Sequence, residues 1–193
     1  MANSNAPMGL QPVRYRNGAP WNGQARTYYV PATDSTALFI GDPVIIAGDG
    51  DTNGTPTVTR ATAGSAGRIT GVVVGFQPTA PFPAKYRAAS TAMYVLVADD
   101  PTLLFEAQED GVGGSLAATN IGQNIDLVSG SGNTATGVSG FLLDSSTAAT
   151  TATLQCRIIA LQQRVDNAIG TTAKWLVAIN LPTETGAAGS TGV

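Results

Sequence analysis

Residues 92–110 read AMYVLVADDPTLLFEAQED, and this stretch decides the fold class. A run of β-branched and aromatic residues stops at Asp99-Asp100-Pro101, and a second run begins at once. In the second run Leu103, Phe105 and Ala107 share one face, while Glu106 and Gln108 share the other. A side-chain period of two marks a strand with one buried face, and Asp and Pro between two such runs supply turn chemistry.

The same grammar extends in both directions. TALFIGDPVIIAG at 36–48, RITGVVVGFQP at 68–78, NIDLVSG at 124–130, TLQCRIIALQQR at 153–164 and KWLVAINLP at 174–182 are apolar runs bounded by Gly, Pro, Asn or Asp. Val72, Val74 and Phe76 alternate onto one face, as do Leu154, Cys156 and Ile158. The spacing predicts strands near 38–47, 56–61, 68–77, 92–98, 103–108, 124–129, 154–164 and 174–180. Only SLAATNIGQN at 115–124 reads as a short helix, with Ser115 as its cap and Gly122 as its stop. Runs of this kind predict an all-β, antiparallel sandwich or barrel of jelly-roll type.

Composition narrows the chemistry. Of 193 residues only 12% are charged, about half the usual share, and 23 are glycine. A surface with so little self-repulsion suits a protein that works inside an assembly. Histidine is absent, which removes Ser-His-Asp and Cys-His catalysis and the commonest metal ligand. The single cysteine, Cys156, has no partner for an internal disulfide and reads as a small core residue. No apolar run reaches signal-peptide or membrane-span length, so the expectation is a soluble protein made in a cytoplasm. Net charge is −3 and lysine is scarce, which argues against direct nucleic-acid binding.

Three segments emerge: 1–30, 31–182 and 183–193. The first carries Arg14, Arg16 and Arg26 without an acid, interleaved with Tyr15, Trp21, Tyr28 and Tyr29 and broken by Pro and Gly. It reads as an extended basic and aromatic arm that needs a surface to lie on, either its own domain or a partner. Those seven residues are the candidate contact set. The second segment is the β domain. The third, TETGAAGSTGV, is small and polar and reads as a flexible tail.

Motifs for catalysis or cofactors are not found. GDGDTNGTP at 48–56 opens like a calcium loop, with Asp49, Asp51, Asn53 and then Gly54. Counting from Asp49, however, the closing carboxylate position holds Arg60, and the flanks read as strands; turn chemistry explains the stretch. The acids Asp99, Asp100, Glu106, Glu109 and Asp110 read as a solvated rim able to receive arginines such as those of the arm, not as a catalytic pair. Neither a phosphate-binding loop nor a nucleophile elbow occurs. The chain is expected to be no enzyme and to need no cofactor or metal.

The order of long phrases is more specific than any motif. GAPWNGQARTYYVPATDSTALFIGDPVIIAG leads into PTVTRATAGSAGRITGVVVGFQP; YRAASTAMYVLVADDPTLLFEAQED, FLLDSSTAATTATLQCRIIALQQRVDNAIG and KWLVAINLP follow. From about Met8 to Pro182 this resembles the head cement, or decoration, proteins of tailed bacteriophages, particularly short-tailed ones. The resemblance implies a β-sandwich on the outer capsid surface of the virion, commonly a homotrimer, clamping neighbouring copies of an HK97-fold major capsid protein. The alternative is a receptor- or glycan-binding module on the virion, using loops such as GSGNTATG at 130–137.

Overall fold

The computed structural model describes residues 3–64, 66–78, 84–184 and 189–192. Among them twelve strands follow in order: β1 Gln11–Tyr15, β2 Arg26–Val30, β3 Pro43–Gly50, β4 Pro56–Arg60, β5 Gly71–Phe76, β6 Met93–Ala98, β7 Leu103–Gln108, β8 Asn124–Ile125, β9 Leu127–Val128, β10 Leu142–Leu143, β11 Cys156–Leu161 and β12 Lys174–Ile179. The fold is all-β, as the alternation implies.

The strands make two layers. β2, β4, β3, β5 and β6 close into a barrel. Its seam is a parallel contact of β2 with β4 at Tyr29 and Thr57; its other neighbours are antiparallel. The second layer is an antiparallel sheet in the order β1-β7-β12-β11-β8. β9 and β10 form a small ladder beside it.

Each layer has its own apolar filling. Inside the barrel lie Tyr28, Val30, Leu38, Val44, Val58, Val73, Val95 and Val97. Between barrel and sheet, Ile69, Val72 and Ala98 meet Leu103, Phe105, Cys156, Ile158, Trp175 and Val177. Full burial of side chains such as Phe105 or Ile158 contributes about 1.5–3 kcal/mol each. The face of Leu103, Phe105 and Ala107 is the buried one expected from the alternation.

One face assignment changes. A register shift between Val73 and Gly75 inserts an extra residue into β5. Val72 and Val74 therefore face the sheet, but Phe76 joins Val73 on the barrel side. A bulge reverses the alternation beyond it, so Phe76 does not share the face of Val74.

The segment expected as an arm is built into both layers. β1 pairs with β7 and β2 pairs with β6, so no boundary falls at residue 30. The expected arm misses these strands because Pro and Gly flank each one and each is only five residues long. Farther out, Asn3 donates to the carbonyl oxygen of Ala168, and the Gln108 side chain bonds both Asn5 and the Ala6 amide. The Lys174 ammonium donates to the Ser4 carbonyl. Residues 3–6 thus strap the outer face of β7 and β12: of the two surfaces the arm could lie on, it takes its own domain.

That strap also corrects the acidic rim. Glu106 and Glu109 are buried, because both faces of β7 are covered. Glu106 meets Arg164 at 2.8 Å. The expected flexible tail is held at its described end: the Ser190 carbonyl accepts from Asn124 and Arg157, and the Gly192 amide donates to Thr150. Residues 185–188 and 193 of that segment lie outside the described residues. The short helix is a single 3-10 turn over Ala118–Asn120 with Ala117, not Ser115, at its cap. The Asn120 side-chain oxygen accepts from the Ala117 amide at 2.8 Å.

Candidate functional site

The seven candidate contact residues fall into three places. The first is a hairpin. β1 turns at residues 16–19, and the chain returns with Pro20 opposite Arg14. The Tyr15 amide donates to Ala19 and the Trp21 amide to Val13, so the return strand covers the open edge of β1. Tyr15 and Trp21 rest partly buried against the inter-layer core, and the Trp21 indole N–H donates to the Gln24 carbonyl. Arg14 and Arg16 are exposed. Neither guanidinium has an ion-pair or hydrogen-bond partner among the described residues.

The second place is structural. Tyr28 points into the barrel and donates its hydroxyl to Asp99 at 2.8 Å; burial, reinforced by that carboxylate, pushes its pKa up to about 12. Arg26 meets the same Asp99 oxygen at 3.3 Å from an exposed position. Asp99 thus receives an arginine of the expected arm, though within the chain. Exposed pairs of this kind contribute about 0–1 kcal/mol. Tyr28 is therefore buried within the fold.

The third place is a cleft of about 210 Å³ lined by Tyr29, Gln77, Pro78, Ala92, Met93 and Tyr94. The Tyr29 and Tyr94 rings tilt at 49° with centroids 5.2 Å apart. Sequence reasoning missed Tyr94 as its partner. The signal was present, since alternation along β6 turns Tyr94 outward while Met93 and Val95 turn in. What alternation lacks is the cross-strand register that sets Tyr94 opposite Tyr29.

Among the described residues no three His, Cys, Asp or Glu side chains gather to hold a metal ion. Cys156 is fully buried, and desolvation pushes its thiol up to about 12, far from a reactive thiolate. In the loop that opens like a calcium site, the Asp51 carboxylate accepts from the Asn53 and Thr55 amides and from the Tyr94 hydroxyl, while Asp49 accepts from the Thr57 hydroxyl. Gly54 takes φ +81°, the left-handed turn position.

Comparison with protein-family models, curated proteins and solved structures finds no match.

Proposed function

We propose that this is a structural virion protein that decorates the outer surface of an icosahedral phage capsid and clamps neighbouring HK97-fold major capsid proteins. The observation that carries the reading is the hairpin of residues 11–21. It presents two guanidinium groups with no partner among the described residues beside a half-buried Trp and Tyr. Arginine and tryptophan are the residue types that dominate interface energetics when a partner desolvates them. The phrase-by-phrase resemblance to decoration proteins supports the same reading, as does a charge-poor all-β chain. Such a protein stabilises the shell by mass action, binding assembled subunits better than free ones.

Self-association as a trimer is part of the proposal. Val112, Val165 and Ile169 are 61%, 93% and 50% exposed on loops that Ser115 and Thr171 bring within 3.1 Å of each other. An apolar group of this kind at one end of a sheet suits a contact between copies.

The test is cosedimentation with capsids lacking the protein. Arg14→Ala/Arg16→Ala and Trp21→Ala should each lower shell affinity at least about tenfold, the effect of losing about 1.4 kcal/mol of binding. Because these side chains lie at the hairpin surface, the melting temperature of the double arginine variant should hold. Wild-type occupancy by all variants would remove the hairpin as the anchor.

A further inference from the structure

A second cleft, of about 310 Å³, opens on the seam between the end of β4 and the β9–β10 ladder. Thr36, Arg60, Ala61, Thr62, Ala63, Ser129 and Phe141 line it. The Arg60 guanidinium lies over the Phe141 ring, 5.9 Å from its centroid, and the ring itself is buried. That contact places the fork over the ring without using its N–H donors. Among the described residues the fork makes no hydrogen bond or ion pair, and the hydroxyls of Thr36, Thr62 and Ser129 make none either. Asp42, whose charge Arg60 feels without an ion-pair contact, is buried and already receives the Phe39 amide and the Ser139 hydroxyl.

We infer that this cleft is a binding site for an acidic saccharide, with Arg60 receiving its carboxylate. One guanidinium with its N–H donors free among the described residues matches one carboxylate, since two parallel N–H donors meet two oxygens. Among the described lining residues no lysine or second arginine adds the charge that a phosphate dianion would call for. The three hydroxyls both donate and accept. That suits a ligand whose own groups are hydroxyls better than an acidic side chain, which only accepts. Ala61 and Ala63 offer small apolar surface to the ring face of a sugar. The inference gives the receptor- or glycan-binding alternative a specific site. It is independent of capsid decoration, because the ligand is read on the isolated protein.

The experiment titrates the isolated protein with sodium glucuronate, glucose and sodium acetate, following amide shifts by NMR. Glucuronate is expected to bind at the weak end of the affinity scale, with Kd on the order of 1 mM. Glucose and acetate should each bind at least tenfold more weakly, since each supplies half of the complement. Arg60→Met should abolish glucuronate binding. Thr62→Val, at an exposed position that leaves Arg60 in place, should weaken it about tenfold or less, the scale of one hydrogen bond. Arg60→Lys keeps the charge but not the fork, and should behave like Arg60→Met. Acetate binding as well as glucuronate would overturn the saccharide assignment. Glucuronate shifts that map elsewhere, that survive Arg60→Met, or that do not occur would overturn the site.

Discussion

Among the described residues the barrel side and the sheet each bury a charge completely, and they treat it in opposite ways. Arg87, beside the barrel, is 0% exposed. Its guanidinium donates to the carbonyl oxygens of Thr91 at 2.7 Å, Pro31 and Asp34 at 2.8 Å, and Thr36. Asp34 stands 3.7 Å away as counter-charge. Glu109, at the end of the sheet strand β7, is also 0% exposed. One of its oxygens accepts from the Leu116 amide at 2.6 Å, and the other makes no hydrogen bond among the described residues. Desolvation lowers the Arg87 pKa and raises that of Glu109. Burial alone therefore does not say what a charge contributes. The count of bonds that replace water does, because an unmade bond on a buried group costs more than a made one gains.

The largest effect should follow from breaking the satisfied charge. Arg87→Met leaves four carbonyls without their donor and frees the 31–36 loop from the barrel wall. Loss of one member of a buried charged network costs about 3–5 kcal/mol, read as a fall in urea midpoint. A loss under about 1 kcal/mol would mean that water replaces the guanidinium, and that the two sites differ less than their bonds suggest.

The joint between the regions comes next. Gly9 sits at φ +65°, where the chain leaves the sheet and crosses Gly41 at the barrel. A Cβ there would lie 2.3 Å from the Gly41 oxygen and 2.6 Å from Ser139. Left-handed strain and overpacking together should cost Gly9→Ala about 2–4 kcal/mol. Unfolding should remain a single transition if barrel and sheet are one cooperative unit; two separated transitions would show that they are not.

These two sites also mark the limit of what the sequence reveals. The strand expected at 103–108 has those bounds in the structure, and that at 56–61 differs by one residue, because alternation and breakers act locally. β1 and β2 escaped for want of length, and with them the fact that the supposed arm is sheet. Burial of Glu106 and Glu109 was illegible for another reason. Alternation shows that Glu106 leaves the core face, but not that residues 3–6 and Arg164 cover the other one. Of the candidate contact set, Arg14, Arg16 and Trp21 stay accessible, while Tyr28 goes into the barrel. Arg60 gave no signal beyond its place at the twelfth position of a loop, since the Phe141 ring that orients it lies 81 residues away.

Glu109→Gln tests the unsatisfied half of the comparison. The folded-state pKa of Glu109 is raised, so its contribution to stability is fully present below the unfolded value and is lost as pH rises through the folded one. Glutamine mimics the protonated form. The variant should match wild type near pH 4 and exceed it at pH 8 by about 1 kcal/mol, the scale of one unmade bond. Asp42, raised by burial in the same direction, leaves a shared slope in both proteins, so the difference between them is the quantity to read. A variant less stable than wild type at every pH would mean that the second oxygen is not the burden its isolation implies.

Asp51 supplies the smallest effect and the clearest contrast. It is a partly exposed carboxylate whose local donors outnumber its oxygens: the Asn53 amide at 2.9 Å and the Thr55 amide at 2.7 Å share one, and the Tyr94 hydroxyl takes the other. The Tyr94 bond is the first cause of its lowered pKa. Its contribution is therefore present above the ordinary carboxylate range and lost as pH falls through the lowered value. A carboxylate already committed three times must give up those bonds to hold calcium, which asks for six to eight oxygens. Arg60, where a closing carboxylate would stand, turns instead to Phe141. A site with Kd of about 1 mM would add about 1 kcal/mol at 5 mM calcium, enough to raise the melting temperature by about 2–4 °C in a chain of this size. We expect a shift below about 1 °C with calcium and none with EDTA, since the donors that would have to leave are the ones that make the turn. A rise of several degrees, abolished by Asp49→Ala, would place a cation where the hydrogen bonds now are.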